Sequence, residues 1–120
     1  MVSACRKTGS GKRSICFGAM YDYGQGAAQD YPEAVKWYQL AAQQGHALAQ
    51  HNLGIIHRDG LGAAQNYEAA YMWSIVSLSQ QQNFRTLRLR DHVASQLSQK
   101  QIARAQKATQ LCINSDYKNC

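Results

Sequence analysis

Two stretches of the chain repeat one another 36 positions apart. Gly24-Gln25-Gly26-Ala27-Ala28-Gln29-Asp30-Tyr31 returns as Gly60-Leu61-Gly62-Ala63-Ala64-Gln65-Asn66-Tyr67, an offset of 60 − 24 = 36. The same offset relates Gly18 to Gly54, Ala34 to Ala70 and Trp37 to Trp73. Chance can place a GxG twice, but not the flanking Gly, Ala and Trp in register with it. A fixed period of this length marks a repeat architecture, in which each unit buries its apolar face only by stacking on its neighbours.

Each repeated residue has a mechanical reason to be there. Gly24 and Gly60 follow helical stretches, where a glycine takes the left-handed conformation that ends a helix. Asp30 and the near-isosteric Asn66 stand where the next helix needs an N-cap, with Pro32 just inside the first copy. That helix presents Ala34, Trp37, Tyr38 and Ala41 at i, i+3, i+4, i+7, which predicts an apolar core face. Gly45 and His46 form the next stop. A further helix is predicted over Ala47 to Asp59, with Ala49, Leu53 and Ile56 as its inner stripe. Small residues (Ala34, Ala41, Ala49, Gly54) recur where helices approach closely.

The last third differs. A helix over Phe84 to Leu97 carries Leu87, Val93, Ala94 and Leu97, and Leu89 lies 36 residues after Leu53. Ser98-Gln99-Lys100-Gln101 is a capping-box pattern. It opens a final helix through Ile102, Ala105 and Ala108 to about Cys112. This pair lacks the GxG loop and is highly charged, as a capping repeat would be. The expected organisation is a lead-in over 1–8, repeats over 9–44 and 45–80, a divergent cap over 81–112 and a tail over 113–120. Residues 1–8 are too few for a preceding helix and are expected to be disordered, so that the chain starts part-way through an array. The fold class is all-α, a right-handed α/α solenoid of helix–loop–helix repeats.

These residues resemble the Sel-one-like repeat (SLR) family, relatives of the tetratricopeptide repeats, whose pattern is A-x3-LG-x2-Y-x2-G-x-G-V-x2-D-Y-x2-A-x2-W-Y-x2-A-A-x2-G. Gly18, Tyr21, Gly24, Gly26, Asp30, Tyr31, Ala34, Trp37, Tyr38, Ala41, Ala42 and Gly45 fill one copy. Ala49, Leu53, Gly54, Gly60, Gly62, Tyr67, Ala70 and Trp73 fill the other. His57 stands where the pattern has Tyr, Ala27 and Ala63 where it has Val, and Ser74 and Ser77 where Tyr and Ala are usual. Ala70-Tyr71-Met72-Trp73, with Gln101-Ile102-Ala103-Arg104-Ala105-Gln106 later, resembles the closing module of bacterial members. The resemblance implies an adaptor whose concave surface grips a protein or peptide, with no shared catalytic centre. An alternative taken from cysteine-rich relatives is a binder of, or weak hydrolase on, cell-wall or β-lactam-like ligands.

Charge narrows the partners. The net charge is +6. Residues 1–13 contribute +4, residues 14–84 contribute −3 and residues 85–120 contribute +5. The repeat body is mildly acidic and the basicity belongs to the ends, which argues against a nucleic-acid groove. The longest apolar stretch near the start, Ile15 to Met20, is short of both a signal-peptide core and a membrane span. A homodimer through exposed solenoid ends is a further expectation.

Candidate chemistry is sparse. Thr8-Gly9-Ser10-Gly11-Lys12-Arg13-Ser14 resembles a phosphate loop, but Arg6 replaces the first Gly, Arg13 replaces the Ser/Thr, and no strand precedes it. His46, His51, His57 and His92 include no i, i+4 pair and have no accompanying CxxC, so no metal site and no cofactor are expected. No nucleophile–base–orienter set is present, so no enzyme is expected. Trp37, Tyr38 and Trp73 read as core. Of the four cysteines, Cys112 and Cys120 also resemble the ending of exported SLR proteins. That likeness implies a bridge tying the tail to the last helix and favours a periplasmic or secreted location. The residues alone leave open two ordinary thiols, and they leave the pairing of Cys5 and Cys16 undecided.

Function should lie on the concave face, lined by the first helix of each pair. On the helix over 47–59 the positions outside the packing stripe are Gln50, His51, Asn52, Ile55, Arg58 and Asp59. Ala19, Asp22 and Tyr23 correspond to them one repeat earlier. Arg85 and Arg88, followed by Asp91 and His92, would continue the surface if the third pair stacks as the others do.

Overall fold

A computed structural model describes residues 10–120 of the chain. The lead-in over 1–8 and Cys5 lie outside the described residues. Among these residues there are six α-helices and no strand: α1 (Ser10–Tyr23), α2 (Tyr31–Gln43), α3 (Ala47–Asp59), α4 (Tyr67–Gln80), α5 (Phe84–Ala94) and α6 (Gln99–Asn114). They stack as an all-α helical repeat solenoid, a short rod of 45 × 26 × 24 Å.

The repeated sequence is a repeated hydrogen-bond pattern. Gly60 adopts φ +71° at the end of α3 and Gly24 adopts φ +69° at the end of α1. The chain then folds back on the helix it has just left. The amide of Asp30 donates to the carbonyl of Tyr21 at 2.9 Å, and that of Asn66 to His57 at 2.8 Å. The Gln29 side-chain amide donates to the Asp22 carbonyl at 2.8 Å, and Gln65 does the same to Arg58 at 2.8 Å. The Asp30 and Asn66 side chains then cap the next helices, accepting from the amides of Glu33 and Ala69 at 3.2 and 3.1 Å. Three backbone groups orphaned at helix ends, two carbonyls and one amide, are thereby satisfied in each repeat, at the same offset.

Packing follows the two apolar stripes. Ala34, Tyr38, Ala41, Ala42, Ala49, Leu53, Ile56, Met72, Trp73 and Val76 form the main core. The glycines set the helix spacing: a Cβ at Gly18 would stand 2.6 Å from the Tyr38 ring, and one at Gly54 would stand 2.8 Å from Leu89. Trp37 departs from the core reading. It is only half-buried, stacks on Phe17 with ring centroids 4.8 Å apart, and buries its indole N–H without a partner. Gln50 is also corrected: it is fully buried and donates to the Ala42 carbonyl at 3.0 Å while accepting from Gln80. The buried amide finds its partner in a carbonyl at the end of α2, which also accepts from the Gly45 amide at 3.0 Å.

The final pair is built on a shorter loop. Only Ser95–Ser98 separate α5 from α6, against seven residues in each GxG loop. The helix expected through Leu97 stops at Ala94. Beyond it the amides of Gln96 and Leu97 reach back three residues instead of four, to Val93 and Ala94, and the Ser95 hydroxyl takes the His92 carbonyl at 2.6 Å. That tightening delivers Ser98 to its capping box, in which Ser98 and Gln101 bond reciprocally. Helix α6 runs two residues past Cys112, to Asn114. A second core of Ala70, Tyr71, Leu89, Val93 and Ala105 holds α5 and α6 against α4.

The tail is fastened. Cys112 and Cys120 are disulfide-bonded, with Cα atoms 4.5 Å apart. Between them the Tyr117 amide donates to the Cys112 carbonyl, and the Tyr117 ring packs on the main core beside Gly45. Lys118 donates to the Gln43 carbonyl at 2.8 Å, a cation at the C-terminus of α2. Cys16 is also engaged in a disulfide.

Candidate functional site

Helices α1, α3 and α5, the first of each pair, share one face. Two adjoining depressions lie on it. The first, about 250 Å³, is lined by Ile15, Ala19, Tyr23, Tyr38, Leu48, His51, Asn52, Ile55, Asn83 and Arg85. The second, about 350 Å³, is lined by His51, Ile55, Arg58, Arg85, Arg88, Leu89 and His92. They meet at His51, Ile55 and Arg85.

The residues singled out from the sequence divide between lining and support. Tyr23, His51, Asn52, Ile55, Arg58, Arg85 and Arg88 line the groove. Asp22 and Asp59 do not. Asp22 accepts the Tyr38 hydroxyl at 3.1 Å, and Asp59 grips Arg58 with two bonds, of 2.9 and 3.1 Å. His51 is largely buried, 8% exposed, because its Nδ1 meets the hydroxyl of the fully buried Thr86 at 2.9 Å. This bond ties α3 to α5 beneath the groove, so His51 shapes the floor more than it reaches solvent. Ile15, Leu48 and Asn83 line the groove without having been singled out. Ile15, Ala19 and Tyr23 fall at i, i+4, i+8, and Leu48, Asn52 and Ile55 at i, i+4, i+7. This second stripe beside the core stripe was the available signal.

The electrostatics follow from burial and neighbours. Burial lowers the His51 pKa, and the positive charges of Arg85 and Arg58 push it the same way, so the ring is neutral at neutral pH. Burial also lowers His57, against a backbone hydrogen bond with Ala64 that raises it. The Tyr38 hydroxyl is pushed far above its ordinary value by burial and then by the Asp22 carboxylate, so it stays a donor. Arg58 holds Asp59 below the usual carboxylate range through their hydrogen bonds. Among the described residues, no carboxylate lies within ion-pair distance of Arg85 or Arg88. The Arg88 guanidinium instead sits 4.7 Å from the centroid of the exposed Phe84 ring.

A different depression, about 280 Å³, lies between α4 and α6 over Met72, Ala105, Ala108 and Cys120. Its charges are already matched, since Arg104 pairs with Glu68 at 2.9 Å across it. No group of three His, Cys, Asp or Glu among the described residues is placed to hold a metal ion.

A Sel1 repeat family model matches residues 4–46 and 47–75. Among solved structures, a protective antigen present in uropathogenic Escherichia coli strains, displaying an SLR fold, superposes on 97% of this chain with a TM-score of 0.88 at 27% identity. A Sel1 repeat protein from Oxalobacter formigenes covers 64% of it with a TM-score of 0.60 at 32% identity. The chain spans 26% and 31% of those two proteins' own chains. No curated protein matches it in sequence.

Proposed function

Because the chain belongs to the Sel1 repeat family, we propose that it is an adaptor holding a segment of a partner protein in the groove on α1, α3 and α5. Sel1 repeats are generally protein–protein interaction modules and generally not enzymes. No helix among the described residues is long and apolar enough to cross a membrane.

One observation carries the assignment to this face. Apolar side chains converge there on two joined depressions with Arg85 and Arg88, which have no ion-pair partner among the described residues, whereas the depression between α4 and α6 carries its own ion pair. Apolar floor with directional polar groups at its edge is the usual make-up of a recognition site. A photo-crosslinking residue placed at Asn52, and a control at the exposed Lys36 on α2, test the reading in the organism that makes the protein. A discrete partner segment captured from position 52 and not from 36 supports it. Equal capture from both positions, or none from 52, removes it.

A further inference from the structure

We infer that the segment held in this groove is acidic: an extended or helical peptide with one apolar side chain seated in the first depression and carboxylates reaching Arg85 and Arg88. The inference rests on the groove reading above and adds the chemistry of the occupant.

The charge balance of the groove is the starting point. Arg58, Arg85 and Arg88 line it, and the acid beside them, Asp59, is used up on Arg58 through two hydrogen bonds. The next acid along α5, Asp91, is held by Arg90. Asp22 at the far end takes the Tyr38 hydroxyl. Residues 1–13 contain no acid that could reach in. Two guanidinium groups on one helix face, three residues apart, thus have no carboxylate within ion-pair distance among the described residues.

Unneutralised cations beside an apolar floor select a partner that brings both a negative charge and something to bury. Ile15, Leu48, Ile55 and Leu89 supply the floor. A carboxylate meets an arginine with two parallel hydrogen bonds, which fixes register as well as charge. A nucleic-acid strand fits less well. Its phosphates recur along the backbone and ask for a run of cations, while the repeat body carrying most of the groove has a net charge of −3.

The test is selection of random twelve-residue peptides displayed against the full chain. The winners are then measured by fluorescence anisotropy against the wild type, Leu48→Ser, and Arg85→Glu/Arg88→Glu. All three substituted side chains are exposed, so the variants keep the core intact. The expected winners carry Asp or Glu beside an apolar residue. They bind more weakly as salt rises, and they lose about tenfold or more in affinity to the double reversal, as two exposed ion pairs would give. Replacing their Glu by Gln should reproduce that loss. Winners that depend on Leu48 but ignore the double reversal, and carry no acidic bias, overturn the acidic inference while leaving the groove reading intact. Winners indifferent to both variants overturn both. Displacement of the winners by a twenty-residue oligo-dT at similar concentration overturns the acidic-peptide assignment in favour of a polyanion site.

Discussion

Gly62→Ala isolates the seam between repeats. Gly62 sits in the second GxG loop at φ +83°, and a Cβ there would stand 2.5 Å from the Tyr31 carbonyl carbon and 2.7 Å from the Pro32 nitrogen. Gly60 in the same loop has a similar φ of +71°, but its Cβ would meet Gln65 at an ordinary 3.4 Å. Gly60→Ala therefore costs only the left-handed backbone, about 1–2 kcal/mol. Gly62→Ala carries that cost plus a collision of roughly 1 Å with backbone, which no rotamer change relieves. Proline fixes the struck backbone at the start of α2, so the repeats must part. Overpacking of that kind adds about 1–3 kcal/mol. Urea unfolding with disulfides intact, followed by far-UV circular dichroism and by the fluorescence of Trp37 and Trp73, should rank wild type above Gly60→Ala above Gly62→Ala. For a chain of this size each kcal/mol lowers Tm by roughly 3–5 °C. Equal midpoints for the two variants, within about 0.5 kcal/mol, would refute the idea that the loop of the second repeat presses on the first turn of α2.

Three other outcomes are expected. His51 and His57 have folded pKa values below their unfolded value of 6.5, so the unfolded chain binds more protons in acid. Stability is then full above pH 6.5 and falls as the pH drops towards the folded values. Unfolding midpoints across pH 4–8 should show a loss on the acid side that His51→Gln reduces, and an unchanged slope in that variant would count against His51. Asn66→Ala removes the cap on the Ala69 amide and should cost about 1 kcal/mol, as should Asp30→Ala at the matching site; midpoint shifts under 0.3 kcal/mol would contradict the repeat-by-repeat equivalence. Cys120→Ser opens a short loop of separation 8 and should lower stability by about 2–3 kcal/mol, with amide exchange rising first at Tyr117 and Lys118. Unchanged exchange at both would show that packing alone holds the tail.

The loop residues were the most legible part of the molecule. Gly24, Asp30, Gly60 and Asn66 act through their own backbone and the next turn, so residue type alone names the job. The inner stripe of α3 was equally plain, since Ala49, Leu53 and Ile56 share a helix face in any helical context. The ends of elements were less so. Helix α5 stops short of Leu97 because Ser95 competes locally for the His92 carbonyl, a choice that an apolar pattern does not reveal.

The groove was partly legible. Tyr23, Asn52, Ile55 and the arginines stood out as positions left over from packing, and nine of the thirteen residues named for this face line one cavity system. Subtracting the core stripe could not distinguish a lining side chain from a supporting one. Asp22 and Asp59 are set aside by single hydrogen-bonding neighbours, Tyr38 and Arg58. His51 is drawn inward by Thr86, 35 residues away.

The repeat, its loops, its capping and the all-α class could be read from residue order alone, because these depend on contacts within a few residues and on a period that any stacked copy must obey. The stacking of the helices settled the rest. Arg58 meets its own chain neighbour Asp59, but Arg85 faces an open cavity, His51 is drawn under Thr86, 35 residues away, and Glu68 meets Arg104, 36 residues away. Those placements depend on the register in which the helices stack, which brings distant side chains within the few ångströms over which a polar group finds its partner.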